Sequence, residues 1–425
     1  MTSCKVACRI MNQLLAILHP FLFRGAPSNP LHVTFTQQTH VTNPPVRKRE
    51  RLFALDLARF VAMLGMMQGH VLDALVRPEM LDITQFPWSF WHAARGLTAP
   101  VFLVVSGAVH AFANKRGENG LIREDVLSKR IRWAITIMGI GYLLMFPANR
   151  LWDLPFVPAN MMKPFLAVNI LQLTGATMLL FVLTMRKTKS VASMGTVGLV
   201  TAMSILSLTP VMSAIQWSGI LPPAVIAYLN TSVGSLFPIF PFSAFLFFGV
   251  ALGSYLYSIP DEQRDVQLKK YGWRIGGAIA ATAWIVHFIA LNHGVPMETL
   301  ENASSALLAI RRLGLVLMIF SVAVWVLQHT YRLREWYSLF GAKSLYIYIT
   351  HLILLFGTPW WSSIGRTHYR SFDLPTSILL MLGIVGATLT FAWGMDKLGR
   401  TPFRPELRTA FNVCVVGLLG YLLIA

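Results

Sequence analysis

The sequence predicts an all-α fold, a polytopic integral membrane protein of about 10–11 transmembrane helices enclosing a polar central pore. Three observations carry that expectation. Hydrophobic residues make up 55% of the 425 positions and charged residues only 13%, and mean hydropathy is +0.57, whereas an ordinary soluble domain is about 25% charged. Apolar stretches of bilayer length recur along the chain. The basic residues between those stretches collect on one side of the alternating loops.

The apolar stretches fall at about 53–76, 90–113, 132–149, 164–184, 192–212, 236–258, 275–292, 309–330, 341–360, 374–396 and 410–425. The last is short for a full crossing, and 213–235 reads as a re-entrant or interfacial piece, so the count is good to about one span. With the residues before the first span placed in the cytoplasm, 24 lysines and arginines face inward and seven face outward. That asymmetry sets a cytoplasmic N-terminus in a multi-pass membrane protein, which in a bacterium means the cell (inner) membrane.

The formal charge of +18 lies between the apolar segments and not on one basic domain, so the cations read as topology determinants and not as a nucleic-acid surface. Cys4, Cys8 and Cys414 have no zinc-ligand spacing with a histidine and no disulfide partner in an outer loop, and no metal is expected. Two regions result, an N-terminal tail over 1–45 and a membrane domain over 46–425. The tail, with Lys5 and Arg9 ahead of MNQLLAILHPFLF, is open to reading as a signal-like segment, an interfacial helix, a flexible extension or an overextended start.

The first span carries the most informative chemistry. Arg59 and His70 are eleven positions apart, about three helical turns, and therefore share a face roughly 16 Å apart along the axis. Asp56, Met63 and Asp73 return to within about 60° of the same stripe. Ionisable groups are costly in a bilayer and face a protein interior or a wet cavity, which makes the stripe a functional candidate. In the second span Arg95, Thr98 and Ser106 are pore-lining candidates, and Arg95 is read either as a ligand for a polar acceptor or as the partner of an outer carboxylate, Asp73 or Asp82. In the ninth, Ser344, Tyr348 and His351 share one face, His351 serving either in chemistry or as a helix-packing hydrogen-bond group.

With these residues identified, the chain resembles a known family. The Arg59-x10-His70 spacing, RLFALDLARFVAM, TAPVFLVVSGAVH, LFPIFPFSAFLFFGVALG and SLYIYITHLILLFG, in that order, look like the transmembrane acyltransferases. That superfamily includes the acyltransferase 3 enzymes and the bacterial heparan-α-glucosaminide N-acetyltransferase-like proteins, and the FPIFPF segment looks most like the second branch. Two departures stand out. Phe60 follows Arg59 where the family often has glycine, and Phe242 stands where a tryptophan is expected after the second proline.

The resemblance, which covers roughly residues 50–360, implies transfer of an acyl group, acetyl above all, from cytoplasmic acyl-CoA as co-substrate to a hydroxyl or amine of a saccharide or glycolipid at the other membrane face. The lipid bilayer, acyl-CoA and the acceptor are then the partners, and a homodimer is left open. In that scheme Arg59, with Asp56, binds acyl-CoA, since guanidinium is a bidentate phosphate donor. His70 suits a general base, its unperturbed pKa near 6.5 leaving it largely neutral, or an acyl-histidine relay. Asp73 is a candidate to orient the imidazole, as a carboxylate does in hydrolase triads, or a helix-end carboxylate. Ser344 and His351 are candidates to bind the acceptor or the thioester oxyanion. The alternative from another class is a proton-coupled transporter of a small polar or sugar-like substrate, which shows similar intramembrane ionisable stripes.

Overall fold

The computed structural model describes residues 51–358 and 360–400, with positions 406, 409, 413, 414, 417, 418 and 420–422 beyond them. The tail over 1–45 and most of the expected span 410–425 lie outside the described residues. The architecture is all-α. Among the described residues β-type pairing is limited to isolated bridges, such as Val76 with Phe372.

Helix α1, Phe53–Leu75, is a run of alanine, leucine and methionine that ends just before Arg77-Pro78. A residue preceding proline is pushed out of helical geometry, and Arg77 is accordingly extended at ψ 135°. The short α2, Trp88–Arg95, and α3, Thr98–Phe112, make up the second stretch, separated at Gly96 and Leu97. Pro100 sits in the first turn of α3, where a missing N–H costs no helical hydrogen bond. Then follow α4, Glu124–Leu144, α5, Ala159–Leu166, α6, Ile170–Met185, and α7, Val191–Ala214. A reciprocal Ser190 and Ser193 capping box starts α7. The 213–235 region holds only the short α8, Pro223–Leu229.

After it come α9, Ile239–Ser258, α10, Asp261–Asn292, α11, Met297–Glu301, and α12, Ala306–His329. The last described helices are α13, Arg334–Ala342, α14, Ser344–Phe356, the single turn α15, Ile364–Thr367, and α16, Leu374–Leu398. Helix α10 is 32 residues long and begins well before the apolar stretch that predicts it at 275. Its first turns are the charged segment DEQRDVQLKK, which hydropathy passes over although most of its residues are good helix formers.

By length and composition six helical segments can cross a membrane among the described residues, and eight if each of two bent pairs, α5 with α6 and α13 with α14, is one span. Helices α1 and α4 have sufficient length at 23 and 21 residues, but their ionisable groups lower their hydropathy. Large apolar side chains such as Val200 on α7, Ile285 and Phe288 on α10, and Leu379 and Leu382 on α16 are exposed, the surface expected of lipid-facing helices.

Two features position the site. Helix α1 is enclosed by α3, α12, α13, α14 and α16, which holds Asp56, Arg59 and His70 of its polar stripe between helices. Glycines let the surrounding helices approach backbone to backbone. A Cβ added at Gly253 of α9 would stand 2.6 Å from Ala108 Cα of α3, and one at Gly107 of α3 would stand 2.9 Å from Val250 N of α9. This is the small-residue packing of membrane helices.

Candidate functional site

At the His70 end of α1 the structure joins two histidines from different helices. His70 Nδ1 lies 3.1 Å from Nε2 of His351 on α14. The ring centroids are 5.3 Å apart and the two planes lie 18° from parallel. His351 is fully buried, and its Nδ1 lies 2.9 Å from the carbonyl oxygen of Ile347 one turn earlier. Phe356 meets His70 edge-on at 6.2 Å, and the Tyr348 ring stands 5.3 Å from His351. Ser344 and Tyr348 are buried on the same face of α14, as the sequence expects.

The carboxylate considered for orienting His70, that of Asp73, is engaged by another residue. It forms an ion pair with Arg95 Nη1, and His70 takes His351 as its partner instead. Arg95 also lies over the Trp91 ring at 4.8 Å and packs along Gly69, whose Cβ would stand 3.7 Å from Arg95 Cδ. The other carboxylate considered for Arg95, Asp82, is exposed. Thr84 binds it through its hydroxyl at 2.6 Å and its N–H at 3.0 Å, which holds the carboxyl below the usual range. The Thr98 hydroxyl donates to the Arg95 carbonyl at 2.9 Å.

This pairing makes a prediction. The Asp73 and Arg95 side chains are 42% and 28% exposed, so the pair contributes about 0.2–1 kcal/mol. Asp73→Asn is expected to lower the thermal midpoint by no more than a few degrees and to keep turnover within about tenfold, whereas loss of an orienting carboxylate costs about 10⁴-fold in kcat. Thermal unfolding and turnover of the variant in detergent check both numbers.

At the other end of α1, Asp56 is also committed elsewhere. Its buried carboxylate accepts from Arg51 Nε at 2.6 Å, and Arg51 Nη2 donates to the Ser338 carbonyl at 3.1 Å. Asp56 is thus engaged by Arg51 and not by Arg59. Arg59 makes no ion pair among the described residues. Its Nε is buried without a hydrogen-bond partner, its Nη1 reaches only the Gly341 carbonyl at 3.5 Å, and its guanidinium lies 5.7 Å from the Phe102 ring centre. A half-buried guanidinium with an unpartnered Nε is suited to a charged or strongly polar ligand.

The helix break beside Arg59 explains the geometry. The Tyr331–Ala342 segment and α14 meet at 65°, and Gly341, at the end of α13, presses on α1 so closely that a Cβ there would stand 3.0 Å from the Asp56 carbonyl oxygen. Phe60 stacks on Phe340 of α13 at 5.2 Å, so the aromatic bulk that replaces the family's glycine is absorbed between helices. Phe242 is likewise buried, edge-on to Phe237 at 5.0 Å, in a setting that is apolar and has no need of an indole donor. Thr98 packs on Gly65 and Phe102 under Arg59, so α3 runs antiparallel to α1. Ser106, one turn past Phe102, therefore falls toward the Arg59 end, away from the histidine pair.

The sequence marks His351 but not its pairing, and nothing in it marks the Gly341 and Ile347 carbonyls. Backbone acceptors carry no residue-type signal. Arg312 is one of the seven cations that the sequence places facing outward. In the structure the Arg312 guanidinium of α12 stands beside the Gly96 turn, its Nη2 2.9 Å from where a Cβ would be.

A multi-helix membrane bundle with an arginine and a histidine pair lodged along its central helix defines a polytopic membrane protein with an intramembrane polar site. Residues 51–290, from α1 through nearly all of α10, match the family model described as heparan-alpha-glucosaminide N-acetyltransferase, catalytic. The chain belongs to that family, and membership supports a membrane acyltransferase-type function. His351 lies beyond the matched segment. No curated protein matches the chain.

Proposed function

We propose that the protein moves an acyl group, acetyl first of all, from cytoplasmic acyl-CoA to a hydroxyl or amine of a saccharide or glycolipid at the extracytoplasmic face. The observation that carries this reading is the division of labour along α1: an arginine with unused donors toward one end and a histidine paired to a second histidine toward the other. Arg59 holds an anionic or carbonyl group of the acyl-CoA. His70 accepts the proton of the acceptor O–H or N–H as its oxygen or nitrogen attacks the thioester carbonyl. The C–S bond then breaks, and the proton passes to the departing thiolate. The Arg95–Asp73 pair and Thr98 line the acceptor side. In this reading the N-terminus is cytoplasmic, as the basic loops direct.

Purified protein in detergent, given acetyl-CoA and a panel of amino sugars and glycans, tests the proposal by donor binding and thiol release. The wild-type protein is expected to do both. Arg59→Ala is expected to weaken acetyl-CoA binding by roughly 10- to 150-fold, the equivalent of about 1.5–3 kcal/mol for hydrogen bonds from a charged donor. Absence of acetyl-CoA binding by well-folded protein overturns the reading and directs the assays to proton-coupled transport.

A further inference from the structure

We infer that His351 is a positioning residue, which through the Ile347 carbonyl selects the tautomer of His70 and makes His70 Nε2 the basic atom of the site. The inference rests on the acyl-transfer reading for its chemistry, while the tautomers themselves follow from hydrogen-bond geometry alone.

A carbonyl oxygen only accepts, so the 2.9 Å contact from His351 Nδ1 to the Ile347 oxygen places a proton on that nitrogen. A neutral imidazole protonated at Nδ1 keeps its lone pair on Nε2. That atom lies 3.1 Å from His70 Nδ1, so His70 Nδ1 must be the donor. Neutral His70 is then left with an unprotonated Nε2 on the ring edge away from α14. One backbone carbonyl thus decides, two hydrogen bonds away, which nitrogen takes a proton from an acceptor.

The groups around the pair fit this assignment. From α14 the Tyr348 and Phe356 rings face the two imidazoles. From α2 Arg95 approaches along Gly69, and its charge is matched by Asp73. Among the described residues no carboxylate forms an ion pair with either histidine. A neutral orienting group avoids the desolvation cost that a buried carboxylate would bring between membrane helices. When His70 takes a proton at Nε2, its Nδ1–H bond to His351 becomes charge-assisted and strengthens at the moment it is needed.

The test pairs two substitutions with one spectroscopic measurement. His351→Leu keeps the buried apolar volume but removes the acceptor for His70 Nδ1–H. His351→Gln supplies a carbonyl oxygen at a reach similar to the lost Nε2. Acetyl-CoA affinity and the donor KM are expected to stay unchanged in both. The kcat is expected to fall about 10²–10⁴-fold in the leucine variant and to stay within about tenfold of wild type in the glutamine variant.

Nitrogen-15 spectra of histidine-labelled protein, assigned by difference from the His351→Gln and His70→Gln variants, read the tautomers directly and need no turnover. Both residues are expected as neutral Nδ1–H imidazoles in the wild type, with the His70 signal moving toward Nε2–H in His351→Leu. An Nε2–H signal for His351 in the wild type overturns the inference even if the leucine variant does not fold. So does wild-type kcat in His351→Leu. If the tautomers are as assigned but no acyl transfer occurs in any variant, the acyl-transfer reading fails and the tautomer assignment stands.

Discussion

His70→Ala is expected to lower acyl transfer by about 10²–10⁴-fold while leaving acetyl-CoA affinity unchanged. The separation of the two effects follows from the geometry. His70 lies about three helical turns along α1 from Arg59, and its polar contact is with His351, not with any residue assigned to the donor. Alanine removes the proton acceptor yet keeps the Asp73–Arg95 pair and the Arg51–Asp56 pair that bracket the helix. The measurement is kcat and donor Kd on the same detergent preparation. A parallel fall in both would assign His70 to binding or packing instead of proton transfer. Incubation of the wild type with labelled acetyl-CoA and no acceptor separates direct attack from a relay. A labelled acyl-imidazole at His70 would make that residue a nucleophile, and its absence leaves the general-base role.

The second large effect is structural. Gly249→Val is expected to cost at least about 3 kcal/mol and to abolish a monodisperse detergent-solubilised protein. Position 249 lies where α9 meets α3: a Cβ there would stand 2.8 Å from Val104 C and 2.9 Å from Val104 Cα. Those are backbone atoms of a fully buried residue, so no side chain can rotate aside. The helices would have to separate. Gly253 makes the same approach to Ala108, four residues further along α9 and α3. Gly383→Ala on α16 is the matched control, because no atom lies within 4 Å of a Cβ there. That variant is expected to behave as wild type or slightly better, alanine being about 1 kcal/mol more favourable than glycine within a helix. Size-exclusion profiles and thermal midpoints in detergent decide the comparison.

Several parts of this protein were legible from residue order. The Asp56, Arg59, His70 and Asp73 stripe on α1 follows from helical period alone, and so does the shared face of Ser344, Tyr348 and His351 on α14. The ten apolar stretches from 53–76 through 374–396 overlap helices that the structure describes, with boundaries that fail where a helix continues into charged sequence, as α10 does before Gly272. Partner choice was only partly legible: the Asp73–Arg95 pair stood among the sequence's alternatives, but nothing in the sequence set it above Asp73 at His70. Asp73 stands one turn from His70 in sequence, and a one-helix view makes it the natural orienting group. Its side chain instead meets an arginine from α2. Asp56 likewise stands one turn from Arg59 but closes on Arg51. Phe60 and Phe242, which look like disruptions of a family pattern, turn out to fill aromatic contacts between helices.

Residue order by itself therefore determined that the chain is a helical membrane protein, and that one helix carries an arginine and a histidine on a common face. Hydrophobic length and a period of 3.6 residues are local properties, which need no knowledge of any other helix. The tertiary structure alone decided that His70 bonds to a residue 281 positions away, that a carbonyl on α14 sets the proton positions, and that Arg59 keeps unused donors beside a broken helix. Each of those depends on how two helices are rotated and how closely their backbones approach, and a hydrogen bond is gained or lost over a few tenths of an ångström that no single helix encodes.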